Sequence, residues 1–142
     1  MRDFSEAEKK EREVIIQLMA VLNPKIYFMS DIGSKKPWDF NMSYGISKSY
    51  LGEIKCLTCD SEKYKYMLLE VTKAKGLIYE SYKKEQILNA PLYCMHYTDN
   101  MVRILKLTPK LLSFYIPEWI NIAGRNKSVY FIPITEAHKL KL

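Results

Sequence analysis

Apolar residues near the start of the chain recur at helical spacing. Phe4, Ala7, Val14, Ile15, Leu18 and Leu22 share one face, which predicts an amphipathic N-terminal helix, and Ser5 with Glu8 has the spacing of a capping box. Glu11 interrupts the stripe, four residues after Ala7 and three before Val14, whereas Glu6, Glu8 and Glu13 lie at its edge or off it. A carboxylate aimed at a core needs a partner, because an unpaired buried charge is costly. Glu11 therefore either meets such a partner or sits at the frayed edge of the stripe and reaches water.

The pattern then changes period. Lys36-Pro37-Trp38-Asp39-Phe40 and Gly52-Glu53-Ile54-Lys55-Cys56 flank the turn residues Gly45-Ile46-Ser47-Lys48, which predicts a two-stranded hairpin. Residues two apart on a strand share a face, so Glu53 and Lys55 project together and Ile54 turns to the apolar side. Asp39 lies fourteen residues before Glu53, a gap the hairpin closes. Two carboxylates and an ammonium are thus expected to meet.

Further on, Tyr64 to Leu69 reads as a strand or helix start and Glu70 to Lys84 as a helix. Pro91 to Tyr97 reads as a buried strand, Thr98-Asp99-Asn100 as a turn, Met101 to Leu107 as a strand and Val129 to Ile132 as a last short strand. This order predicts an α/β (α+β) fold, a mixed central sheet flanked by helices. Residues 109–128 carry no interpretable motif and are read as a dimer contact or a DNA-facing insertion. Tyr44 and Tyr50 flank the turn, where tyrosine is a good strand residue as well as a stacking surface.

Composition narrows the reading. The 142 residues are 48% hydrophobic, enough for a single domain, 1–142, with one core. No apolar run approaches the eighteen or so residues of a membrane span, and no signal-peptide core is evident, so a cytoplasmic protein is expected, in the host cytoplasm if phage-encoded. The three cysteines fit a reducing compartment; Cys56-Leu57-Thr58-Cys59 lacks the second pair of a zinc site, the other candidates being Cys94, His96 and His138. The net charge of +6 agrees with a nucleic-acid partner.

Two facing carboxylates repel unless a cation sits between them, and oxygen ligands favour Mg²⁺ or Mn²⁺ over zinc. Such an ion can activate a water and neutralise charge on a phosphate, and Lys55 adds a point positive charge. With Pro37-x-Asp39 as the first element and Glu53-Ile54-Lys55 as the second, the chain resembles the PD-(D/E)XK nuclease superfamily, the proline displaced by one residue from the usual Pro-Asp pair. Over roughly the first 60 residues, Glu11, the Gly33-Ser34-Lys35 loop, Asp39 and Glu53-x-Lys55 are similar in layout to archaeal Holliday junction resolvases, with Ser30 or Ser34 as the matching loop serine.

The resemblance implies a restriction-endonuclease-like core and a Mg²⁺- or Mn²⁺-dependent endonuclease that hydrolyses phosphodiesters of branched or double-stranded DNA, with a homodimer if the substrate is a four-way junction. It implies Asp39, Glu53, Lys55 and Glu11 as catalytic residues and Asp39, Glu53 and Ile54 as metal-holding positions. Ser34, Lys35, Lys36, Lys48 and Lys73 are the expected DNA contacts; an i, i+3 ion pair with Glu70 explains Lys73 equally well. The competing readings are a non-catalytic nucleic-acid-binding module of this fold and a phage assembly protein.

Overall fold

The computed structural model describes residues 4–31, 33, 35–45, 48–83 and 90–142. The stripe of apolar residues forms helix α1 (Phe4–Leu22), which buries Val14, Ile15, Leu18 and Met19. Ala7 is exposed, so burial begins one turn past Glu11. The side chains of Phe4 and Ser5 lie outside the described residues, and with them the capping box. The Glu8 carboxylate accepts a hydrogen bond from the Gly33 backbone N–H at 3.0 Å.

The hairpin forms as expected, from β2 (Phe40–Ser43) and β3 (Ser49–Cys56), antiparallel with Phe40 opposite Gly52. This close register requires glycine, since a Cβ at position 52 would lie 2.1 Å from Cζ of Phe40. The strand β1 (Ile26–Met29), absent from the sequence expectation, pairs with the outer edge of β2. Its four residues are too few to display a period of two.

After the hairpin come β4 (Tyr66–Glu70), α2 (Val71–Lys83), β5 (Leu92–His96) and β6 (Met101–Lys106). All of β5 is buried, as the continuous apolar run implies for a strand covered on both faces. It runs parallel to β3, with Glu53 beside Tyr93, and antiparallel to β6. The remaining elements are a short helix α3 (Pro109–Ser113), β7 (Glu118–Ile122), β8 (Arg125–Pro133) and β9 (His138–Lys141).

Residues 109–128 thus contain regular structure that the sequence pattern left unread. Strands β7 and β8 form a hairpin, and its two turn residues, Ala123 and Gly124, both take positive φ (51° and 81°). That backbone matches the twist of the flanking strands.

The strands build a mixed six-stranded sheet, β1-β2-β3-β5-β6-β9, and a three-stranded sheet, β4-β8-β7. On one face of the larger sheet α1 packs against Phe40, Met42, Ile54 and Cys94. On the other, Leu51, Tyr93, Met95 and Leu105 meet Ala74 and Leu77 of α2 and Met67, Leu69, Tyr130 and Ile132 of the smaller sheet. A mixed sheet with helices on both faces agrees with the expected fold class. No helix among the described residues is long and apolar enough to cross a membrane.

Candidate active site

Asp39 is the residue before β2, where the chain enters the sheet. Its N–H donates to Gly52 O and its carbonyl accepts from Ser30 N–H, both at 2.8 Å. Its carboxylate accepts a hydrogen bond from the Ile54 N–H at 2.8 Å. The backbone of β3 therefore holds the Asp39 side chain beside Glu53.

Glu53 and Lys55 alternate with the buried Ile54, so the face predicted from spacing is realised. Oε1 of Glu53 lies 3.6 Å from Nζ of Lys73 on α2, and Oε2 is buried with no hydrogen-bond partner among the described residues. Burial pushes the Glu53 carboxyl up to about 7, with the nearby Asp39 raising it further and Lys73 and Lys55 opposing. Asp39 is also raised, by burial, against the lowering effect of the Ile54 N–H and of Lys73.

Glu11 projects from α1 towards this pair. Burial, then Asp39, then Glu8 raise its carboxyl above the usual range. Glu11, Asp39, Glu53, Ile54, Lys55 and Lys73 line one cleft of about 310 Å³, together with Ala7, Lys10 and Cys56. The four residues expected to be catalytic are therefore brought together.

The expected DNA contacts divide. Lys73 lines the cleft and stands 3.8 Å from Glu70, the i, i+3 ion pair expected as one explanation for it, and 3.6 Å from Glu53. Lys35 and Lys36 line a neighbouring cavity with Trp38 and Glu80, and Nζ of Lys36 lies 4.9 Å over the Trp38 ring. Lys48 is at the hairpin tip, the end opposite Asp39 and Glu53. With about 3.3 Å of rise per residue, it is on the order of 15 Å from them, so it does not belong to this cleft. Ser34 lies outside the described residues. Ser30 accepts through its carbonyl from the Arg12 guanidinium at 2.8 Å. Tyr44 donates to Leu22 O at 2.6 Å and meets Tyr50 edge-on, a packing role for both rings.

Sequence spacing missed Lys127. From β8 it lies 2.5 Å from Glu70, which holds the Glu70 carboxyl below the usual range. No local pattern links a lysine in a late strand to a glutamate at the end of β4. Cys56 also went unassigned; burial first, and then Glu11, push its thiol up, which disfavours the thiolate a soft metal ion needs.

Among the described residues no three His, Cys, Asp or Glu side chains are arranged to enclose a metal ion. A magnesium site does not need such a cage, because Mg²⁺ keeps several waters and takes one or two carboxylates. The residues present fit that mode. Oε2 of Glu53 is a buried acceptor without a donor among the described residues, and three carboxyls with raised pKa values line the cleft. Comparison with protein-family models, curated proteins and solved structures gives no significant match to this chain.

Proposed function

We propose that the chain is a divalent-metal-dependent DNA endonuclease of the PD-(D/E)XK type. The observation that carries this reading is the juxtaposition of Asp39 and Glu53 across the β2–β3 hairpin, with one Glu53 oxygen buried and without a partner among the described residues. The sheet supports it too. A mixed sheet with the β2–β3 hairpin, α1 on one face and α2 on the other is compatible with the core such a nuclease would need.

Asp39 and Glu53 would hold a Mg²⁺ or Mn²⁺ ion, with Ile54 able to add only its backbone carbonyl. When bound, that ion lowers the pKa of a water and neutralises charge on the phosphate. The chain's own residues do the positioning. The Ile54 N–H fixes the Asp39 carboxylate, and Lys73 favours the ionised form of Glu53, the form able to bind a cation. Lys55, exposed at the wall of the same cleft, offers its ammonium to a non-bridging phosphate oxygen as charge accumulates there. Glu11 adds a third carboxylate from the side of α1.

The test is to incubate the purified protein with supercoiled plasmid, linear duplex, single strand, a flap and a four-way junction, each with Mg²⁺, Mn²⁺ or EDTA. Cleavage with either metal and none with EDTA is the expected result. Intact DNA under every condition would overturn the proposal.

A further inference from the structure

Lys55 borders two depressions. One is the cleft of the carboxylates; the other is a groove of about 650 Å³ between the face of the six-stranded sheet that carries Tyr93 and Met95 and the three-stranded sheet. Lys63, Tyr64, Lys65 and Tyr66 lead into and begin β4 along this groove. Strand β8 contributes Lys127 and Phe131. The described lining thus carries four lysines, at 55, 63, 65 and 127, against the single carboxylate of Glu70.

The aromatic side chains are not consumed by the core. Tyr64 and Tyr66 are 60% and 56% exposed, although each is large enough to contribute to packing if turned inward. Nζ of Lys63 lies 5.4 Å from the centroid of the Tyr64 ring, so a cation and a π-face are presented together. Lysines interleaved with exposed rings match a polymer that alternates phosphates with flat bases. A duplex offers its phosphates but keeps its base faces stacked inside. An unpaired strand offers both.

We infer that this groove binds a single-stranded DNA segment and leads it past Lys55 to the Asp39–Glu53 cleft. The inference rests on the nuclease reading and specifies its substrate: DNA with an unpaired strand, such as a single strand or a flap, rather than uninterrupted duplex. Phosphates lie along Lys63, Lys65 and Lys127, and bases stack on Tyr64 and Tyr66.

Fluorescence anisotropy in EDTA, with a labelled oligothymidylate, its RNA counterpart and a duplex of equal length, tests binding apart from cleavage. The single DNA strand is expected to bind at least about tenfold tighter than the duplex. Replacing both tyrosines (Tyr64→Ala with Tyr66→Ala) is expected to weaken strand binding by about tenfold or more, as loss of base stacking does, and to leave duplex binding unchanged. Both side chains are exposed, so the fold should persist, which circular dichroism checks. The Lys63→Ala, Lys65→Ala pair gives an independent reading, a dependence of log affinity on log salt that is shallower by about 1.4 for two lost single-strand phosphate contacts.

Equal affinity for duplex, tighter binding of RNA than of DNA, or strand binding indifferent to both double variants would overturn the inference. So would light scattering that shows the tyrosines joining two copies of the chain while strand affinity is untouched. Repeating the assay's substrates with Mg²⁺ separates the two proposals. Groove-dependent strand binding without cleavage removes the nuclease reading alone, and cleavage unaffected by the groove variants removes this inference alone.

Discussion

Nζ of Lys73 lies 3.6 Å from Oε1 of Glu53. The lysine is on α2 and the glutamate on β3, so the contact joins a helix to the strand it covers. The charges continue outward, since Lys73 also stands 3.8 Å from Glu70, and Glu70 meets Lys127 of β8. Alternating charges thus run from the three-stranded sheet to the carboxylates of the cleft. At the inner end Asp39, Glu53 and Glu11 all sit where burial raises their pKa.

Asp39→Asn removes the carboxylate proposed to hold the metal and leaves a carbonyl oxygen able to accept from the Ile54 N–H. Lys55→Ala removes an exposed ammonium. Each variant is expected to slow DNA cleavage by about 100-fold or more, the cost of losing one charge-stabilising group, while DNA binding persists. Cleavage rates and gel shifts on the same preparations check this, and full activity in either variant would refute the assignment.

Glu53 is expected to make both the proposed cleavage and the stability depend on pH. With its carboxyl at about 7, the group is protonated in weak acid and cannot hold a cation, so metal affinity and cleavage should rise as pH passes through about 7. Stability moves the other way. The folded carboxyl holds its proton more tightly than the unfolded one, so its contribution is fully present below about 4.5 and is lost as pH rises through about 7. The loss is on the order of 3 kcal/mol. Metal-free melting temperatures should therefore fall over this window, Glu53→Gln should flatten the fall, and added Mg²⁺ should oppose it. A melting temperature independent of pH would show Glu53 to be ionised like an exposed glutamate.

Lys73 acts on Glu53 as a positioning residue. Without its ammonium the Glu53 carboxyl should rise further, so Lys73→Gln is expected to move the ascending limb of the pH–rate profile to higher pH and lower the rate at neutral pH. Lys127→Ala, two ion pairs farther out through Glu70, should shift the limb less. The two pH–rate profiles measured side by side decide the order, and equal limbs would show that Lys73 does not tune Glu53.

Glu11 and Glu13 lie on the same helix, but only Glu11 lines the cleft, and Glu13 is exposed. Glu11→Gln keeps nearly the same shape and removes a charge that burial and Asp39 disfavour, so the fold should be kept or slightly stabilised. Cleavage should slow and its dependence on Mg²⁺ weaken, whereas Glu13→Gln should change little. Equal kinetics for the two would leave Glu11 as a helix-edge residue.

The sequence by itself determined the features written in local repeats. The period of α1 placed Glu11 on the buried side of its helix, and the period of two in β3 placed Glu53 and Lys55 on one face and Ile54 on the other. The apolar run from Leu92 fixed β5 as a covered strand, and the turn residues between Ser43 and Ser49 closed the hairpin that sets Asp39 against Glu53. What only tertiary structure decided is which distant groups meet. Strands β1 and β9 are short and at the edges of the sheet, so their strand character comes from a partner rather than from any run of their own. Lys127 looked remote and reaches Glu70, because β8 pairs with β4. Local repeats fix which way a side chain points, whereas charge pairing depends on strand order and register across the whole sheet, which no short window of sequence contains.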